Sequence, residues 1–261
     1  MNLNKISVVI LAGGLGTRLK DFRGKNTEKV LLKINGIPMI SKQIEQVINW
    51  GFGIENIVCI TNPNIHDSIR EVTTTKFGPG IKYVIQPEPL GIAHAFSFAE
   101  NKIYSDQVLL VLGDNFFEKN PFHEKVNFSD GLYSIFIKSV ENPKDFGVAE
   151  VSENRIVSLE EKPENPKDFG VAEVSGNRIV SLEEKPENPK SNFAVAGLYL
   201  YRSDIFSKIK TLEPSARGEF EITDLNSQLI DDEELNYYKI DGWWIDAGTP
   251  ERIEELEAKI I

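Results

Sequence analysis

The residues of this chain best suited to chemistry stand just after short apolar runs. LAGGLGTR, residues 11–18, follows on ISVVILA. Gly13, Gly14 and Gly16 let the backbone turn tightly and bring amide N–H groups against a phosphate, while Arg18 and, eleven residues on, Lys29 can neutralise its charge. A strand-to-loop turn that merely uses glycine is the plainer reading, but GGxGTR after a buried strand with a lysine beyond it is a stronger signal than a lone GxG. It is no dinucleotide fingerprint, because Leu19 stands where the third glycine belongs. Nor is it a P-loop, because no glycine stands five positions before Gly24 and no Ser or Thr follows Lys25.

QPEPLGIAHAF begins at Gln86, whose amide donates and accepts side by side, as the edge of a nucleobase requires. Gly91 leaves room where a bulky side chain would block a flat ring, although taken alone a surface glutamine before a proline turn is the more natural reading of Gln86. In LGDNFF, Asp114 is placed either to hold Mg2+ against phosphate oxygens or to make an Asx-turn. In GWWIDAGTPE, Asp246 is a second metal ligand or a turn or cap residue, Trp243 and Trp244 read as core, and Pro250 suits a first helical turn. Two such aspartates with a glycine-rich phosphate loop would together make a metal-assisted phosphoryl or nucleotidyl transfer site.

The elements that must position these residues alternate. ISVVILA, IENIVCIT, IKYVIQ, QVLLVLGD and LYSIFIKSV read as strands. PMISKQIEQVINW puts Ile40, Ile44, Val47 and Ile48 on one helical face, and GIAHAFSFAENKI reads as a further helix. Alternation of this kind means an α/β fold with a mostly parallel sheet covered on both sides, and ligands then sit beyond the carboxyl ends of the strands. After about residue 130 the chain turns strand-rich, through NFAVAGLYLY, before helices return in EFEITDLNSQLI and PERIEELEAKI. No Pro/Ser linker intervenes, so residues 1–261 are expected to form one domain: a nucleotide-binding half to about 130 and a β-rich half beyond it.

One 23-residue unit stands twice, at 141–163 and 164–186, with Glu153 replaced by Gly176 as the only difference. Two copies cannot make a solenoid, so the repeat reads as a recent or engineered tandem duplication of a β-hairpin that ends in Glu-Lys. Gly176-Asn177 suits a tight primed turn better than Glu153-Asn154, which favours the second copy as the working hairpin and leaves the first as an extra loop or edge hairpin.

A formal charge of −11 and a pI near 4.9 argue against nucleic acid as a partner. Cys59, the one cysteine, excludes an internal disulfide and reads as core. The N-terminus is neither a signal peptide nor a membrane span, so a cytoplasmic protein without a membrane partner is expected. His66, His94 and His123 fit no metal spacing and carry no assigned role.

The ordered motifs AGGLGTR, a following lysine, QPEPLGIAHA, LGDN, EEKP, AVAGLY, RGEFEITD and WWIDAGT resemble the sugar nucleotidyltransferase family, from about residue 6 to the end, and within it the glucose-1-phosphate thymidylyltransferases. The resemblance implies a three-layer α/β/α sandwich with a Rossmann-like nucleotide half and a β-rich sugar half. It implies Mg2+ as cofactor, with dTTP, or UTP as a close variant, and glucose 1-phosphate as substrates; a homo-oligomer is compatible with it. Carried over, Arg18, Lys29, Asp114 and Asp246 are catalytic, the two aspartates hold the metal, and Leu11, Ala12, Gly13, Gly14, Gly16, Thr17, Gln86, Pro89 and Gly91 seat the nucleotide beside Asp114. Gly170, Glu184, Lys185, Val195 and Arg217 meet the sugar phosphate, with Gly147, Glu161 and Lys162 as the alternative copy. One departure is that the family often reads GTRLxPxT, whereas LKDFRGKNTEK lacks the proline and has one extra residue, so Lys25 competes with Lys29. A catalytically silent sugar-nucleotide sensor would be expected to lack Arg18, Asp114 or Asp246, and all three stand.

Overall fold

The computed structural model describes residues 3–14, 16–19, 22, 28–122, 133–140, 150–152, 155–158, 170–175, 178–184, 193–232 and 234–260. In chain order the nucleotide half contains β1 (Ser7–Leu11), β2 (Lys33–Ile34), β3 (Ile37–Pro38), α1 (Met39–Asn49), β4 (Ile57–Thr61), α2 (His66–Phe77), β5 (Lys82–Ile85), α3 (Ile92–Ser97), β6 (Gln107–Leu112) and β7 (Asn115–Phe117). Next come β8 (Tyr133–Ser139), β9 (Glu150–Ser152), β10 (Arg155–Ser158), β11 (Gly170–Ser175), β12 (Arg178–Glu184) and β13 (Phe193–Arg202). The last elements are α4 (Ile205–Ile209), α5 (Ile222–Asp231), β14 (Leu235–Lys239), β15 (Trp244–Asp246) and α6 (Pro250–Lys259).

Seven strands in the order β14-β8-β13-β6-β1-β4-β5 make the central sheet, and the hairpin β11-β12 extends it to nine beside β14. β6, β1, β4 and β5 run parallel, while β13 alone among the seven opposes its neighbours β6 and β8. The parallel strands are buried on both faces, which is why SVVIL and IVCIT are unbroken apolar runs rather than alternating ones. Alternate residues of β1 part company accordingly. Val8 and Ile10 join the core under α1 and α2, and Val9 joins the core under α3, α4 and α5. The layers are therefore α/β/α. On α1, Ile40, Ile44 and Val47 are fully buried and Ile48 packs partly against the same core.

Helix α3 is shorter than its sequence suggests. Ser97 Oγ donates to His94 O at 2.7 Å, and the amides of Phe98 and Ala99 bond three residues back, so the helix tightens and ends before Glu100. Among the described residues, no helix is long and apolar enough to cross a membrane.

The two repeat units are treated differently by the sheet. In the second unit, β11 and β12 pair from Gly170↔Glu184 to Ser175↔Arg178, and the hairpin reaches the main sheet through Val171↔Ala194 and Arg178↔Asn236. In the first unit, among the described residues, β9 and β10 pair only with each other. The turn residues Glu153, Asn154, Gly176 and Asn177 lie outside the described residues.

Deleting residues 141–163 should therefore leave the nine-stranded sheet intact and shift the thermal midpoint by less than about 4 °C, the equivalent of roughly 1 kcal/mol for a chain of this size. Circular dichroism melting checks it, and a drop beyond about 10 °C would show that the first hairpin supports the sheet.

Candidate active site

Asp114 follows β6, and a short antiparallel ribbon brings Asp246 beside it. β15 pairs with β7 through Trp244↔Phe117, Ile245↔Phe116 and Asp246↔Asn115, and Ala247 N donates to Asp114 O at 2.8 Å. Helix α1 clamps the ribbon: Gln46 Nε2 donates to Asn115 O at 3.2 Å, and Phe117 N donates to Gln46 Oε1 at 2.8 Å. Beneath the ribbon, Phe116, Ile245 and Ala247 pack with Ile253 and Leu256 of α6. Thr249 caps α6 by accepting from Arg252 N, with Pro250 in the first turn as its sequence suggested.

Lys29 closes the site from the phosphate-loop side. Its Nζ donates to Asp114 Oδ2 and lies 3.8 Å from Asp246 Oδ1, so one ammonium spans both carboxylates. The loop passes close enough for this only because residue 16 is glycine. Its φ is +56°, and a Cβ there would stand 2.6 Å from Lys29 Cβ. Burial works against the Lys29 charge, but Asp114 and Asp246 outweigh it and hold the ammonium above its ordinary pKa, with Arg18 pulling the other way. Burial likewise pushes the Asp114 carboxyl up, and Lys29 and Asn115 overcome this to hold it below the usual range. Asn115 Nδ2 donates to Asp114 Oδ1 at 2.7 Å and is itself aimed by Trp244 Nε1, which donates to Asn115 Oδ1 at 2.7 Å. Trp244 is thus core and positioner at once.

A cavity of about 300 Å³ opens beside Asp114, at the carboxyl ends of β1 and β6. Leu11, Gly13, Gly14, Gln86, Pro89, Gly91 and Asp114 all line it. Gln86 is only 6% exposed, which rules out the surface-glutamine reading. Gly91 has φ +102°, and a Cβ there would meet Phe220 O at 2.6 Å. The backbone of Phe220 accepts from Ala93 N at 3.2 Å and donates to Leu90 O at 2.8 Å, clasping this wall. Sequence reasoning missed Glu219 and Glu221, which also line the cavity, although RGEFEITD was in view. Glu221 Oε1 accepts from Arg217 Nη2 at 2.8 Å and Ser215 Oγ at 2.9 Å, so Arg217 braces the cavity rim through Glu221.

The other expected residues fall elsewhere. Ala12 is buried beneath the loop, Gly16 supports Lys29, and Arg18 is exposed in the 3-10 turn Thr17–Leu19. Val195 is buried in β13 opposite Ile137, and Gly170 and Glu184 face each other at the open end of the β11-β12 hairpin. Lys25, Gly147, Glu161, Lys162 and Lys185 lie outside the described residues. Cys59 is fully buried, and burial pushes its thiol up to about 12, in keeping with a core role.

The nucleotidyl transferase family profile matches residues 7–168 and 164–261, so the first match takes in the first repeat unit and the second opens on the second unit. The chain belongs to the nucleotidyl transferase family. Its relatives place it among the sugar nucleotidyltransferases, which act on a nucleoside triphosphate and a sugar phosphate. The glucose-1-phosphate thymidylyltransferase of Neisseria meningitidis is 37% identical over 255 residues, covering 95% of this chain and 80% of that protein. A Bacillus anthracis crystal structure assigned as a glucose-1-phosphate thymidylyltransferase superposes with TM-score 0.78 and 33% identity, over 98% of this chain and 96% of that one. A UDP-glucose pyrophosphorylase bound to UDP-glucose superposes with TM-score 0.72 over 97% of both chains; at 20% identity this is a likeness of fold alone.

Lys29→Met should lower stability at pH 7 by about 2 kcal/mol, because it leaves two half-buried carboxylates without their cation. Lys29 depresses the Asp114 pKa, so its contribution is present at neutral pH and is lost as pH falls through that depressed value. Without Lys29 the carboxyl takes up its proton at a higher pH, so the deficit narrows on acidification. Urea unfolding at pH 7.5 and pH 4.5 checks both the size and the direction.

Proposed function

We propose that the chain is a Mg2+-dependent nucleotidylyltransferase that joins dTTP and glucose 1-phosphate to give dTDP-glucose and pyrophosphate. The observation that carries this reading is the meeting of Lys29, Asp114 and Asp246 at the edge of a cavity whose other wall holds Gln86. The thymidylyltransferase relatives support the choice of base and sugar.

In this reading Gln86 meets the imide edge of the base, Gly91 leaves room for its ring, and the amides of Gly13 and Gly14 approach the phosphates. A phosphate oxygen of the sugar 1-phosphate attacks the α-phosphorus in line; the new P–O bond forms as the bond to the β-phosphate oxygen breaks, and pyrophosphate leaves with the electron pair. The attacking oxygen is already anionic, so no general base is needed, and the protein's task is alignment and charge. Arg18 and Lys29 supply positive charge to the phosphates. Glu184 and Lys185 meet the sugar and its phosphate.

The donor set fits Mg2+. Asp114 and Asp246 offer hard carboxylate oxygens close enough to share one ammonium, and among the described residues no group of three or more His, Cys, Asp or Glu side chains could hold a metal. Two carboxylates with the rest of the shell left to phosphate and water are the usual Mg2+ arrangement. When bound, the ion neutralises and aligns the phosphates.

Pyrophosphate release, followed with dTTP, UTP and CTP each paired with glucose 1-phosphate, tests the reading. dTTP should turn over fastest, EDTA should abolish turnover, and Asp246→Asn should lower kcat by at least about 100-fold. Absence of release with every pair would reject the enzyme. Lys185→Ala should raise KM for glucose 1-phosphate by about tenfold, the value of one charge-assisted contact, while Lys162→Ala changes it less than about twofold. The reverse pattern would put the first repeat unit in the site.

A further inference from the structure

His94 took no part in the functional reading of the sequence, yet it holds the residue on which that reading of the base depends. Its neighbours Ile92 and Ala95 on α3 line the cavity, whereas His94 does not. Its Nδ1 lies 3.2 Å from Gln86 Nε2. The ring is itself fixed. It stacks on Phe220 with centroids 5.9 Å apart and planes at 21°, and it meets Phe98 edge-on at 5.0 Å and 87°. Phe220 is in turn tied by backbone hydrogen bonds to Leu90 and Ala93. The imidazole is thus packed as firmly as the wall it belongs to.

For a given tautomer of His94 the contact works in one sense only. With the lone pair on Nδ1, the Gln86 amide donates one N–H to His94, which leaves its second N–H and its Oε1 for the cavity. Turning the amide over would set Oε1 against the same lone pair, two acceptors in contact, at a side chain too buried for water to relieve the clash. With the His94 proton on Nε2, the order of donor and acceptor that Gln86 presents is therefore fixed. That order is what separates the pyrimidines: the imide edge of thymine and uracil offers a carbonyl oxygen beside a ring N–H, whereas cytosine offers an amino group beside a bare ring nitrogen. A glutamine free to turn over would satisfy either edge, and one that cannot turn satisfies one.

We propose that His94 carries its ring proton on Nε2 and is the positioning residue for nucleobase choice: by locking the Gln86 amide it admits imide-edged pyrimidine nucleotides and rejects cytosine nucleotides. This rests on the reading that Gln86 faces the base.

His94→Phe keeps a ring to stack on Phe220 and removes the acceptor, while His94→Gln replaces the imidazole acceptor with a carbonyl oxygen. Two measurements are made on the full chain: kcat/KM with dTTP and dCTP at fixed glucose 1-phosphate, and equilibrium binding of dTDP and dCDP, which needs no turnover. The wild type should prefer the thymine nucleotides. His94→Phe should cut that preference by at least about tenfold, the scale of one misread base contact, with the change falling on KM more than on kcat, and His94→Gln should recover most of it. A preference left unchanged in His94→Phe, or not recovered in His94→Gln, overturns the proposal. So does a wild type that binds dTDP and dCDP equally. If the wild type releases no pyrophosphate yet binds dTDP more tightly than dCDP, and His94→Phe loses that difference, the enzyme reading falls and the role of His94 stands.

Discussion

One ammonium group shared by two carboxylates is the constraint around which this molecule is arranged. Asp114 and Asp246 at close quarters would repel by about 4 kcal/mol at an effective dielectric near 20, and Lys29 turns that repulsion into attraction. The arrangement demands supports that have little else to do. Gly16 lets the loop approach Lys29, Gln46 clamps both sides of β7, and the chain from Trp244 through Asn115 fixes the Asp114 carboxylate. Each support comes from a different element, so the charge cluster also welds the phosphate loop, α1 and the C-terminal ribbon together. A cation already sits where an acidic protein is to receive two anionic substrates.

The parallel core was legible from sequence because burial on both faces forces long apolar runs, and SVVIL, IVCIT and QVLLVL have no other reading. The loops at their ends were legible for the same reason, since glycine and aspartate after such a run mark the mouth of an α/β sheet. Helix α2 was not, because its HDSIREVTTTKF buries only Ile69 and Thr73 and so carries almost no apolar stripe. The β7–β15 ribbon escaped notice for a different reason: strands of three residues have no period to detect.

Among the site residues, Gln86, Gly91, Asp114 and Asp246 announce themselves by local context. Lys29 does so only in part. Its type and distance from Arg18 suggested phosphate, while its ion pair with a residue 85 positions away leaves no trace in the spacing. Asn115, Gln46 and His94 act through other side chains rather than on a ligand, and nothing in their neighbourhood distinguishes them from ordinary polar residues. Glu221 lay inside a recognised motif, but only the fold shows that its carboxylate faces the cavity while bracing Arg217. The repeat is the mirror case. Its existence is plain in the sequence, whereas the copy that joins the main sheet is decided by pairing with β13 and β14.

The ribbon has a consequence in time as well as in space. Trp244 contacts Asn115 across 129 positions. During synthesis the parallel core, the phosphate loop and Asp114 leave the ribosome first, and domains generally begin to fold as they emerge. The second carboxylate is made only after the β-rich half has followed Asp114, so Lys29 and Asp114 wait for their third partner throughout that stretch. Assembly of the charged centre is thereby coupled to synthesis of β15: a chain that stopped before β15 would retain most of its core and lack the second carboxylate.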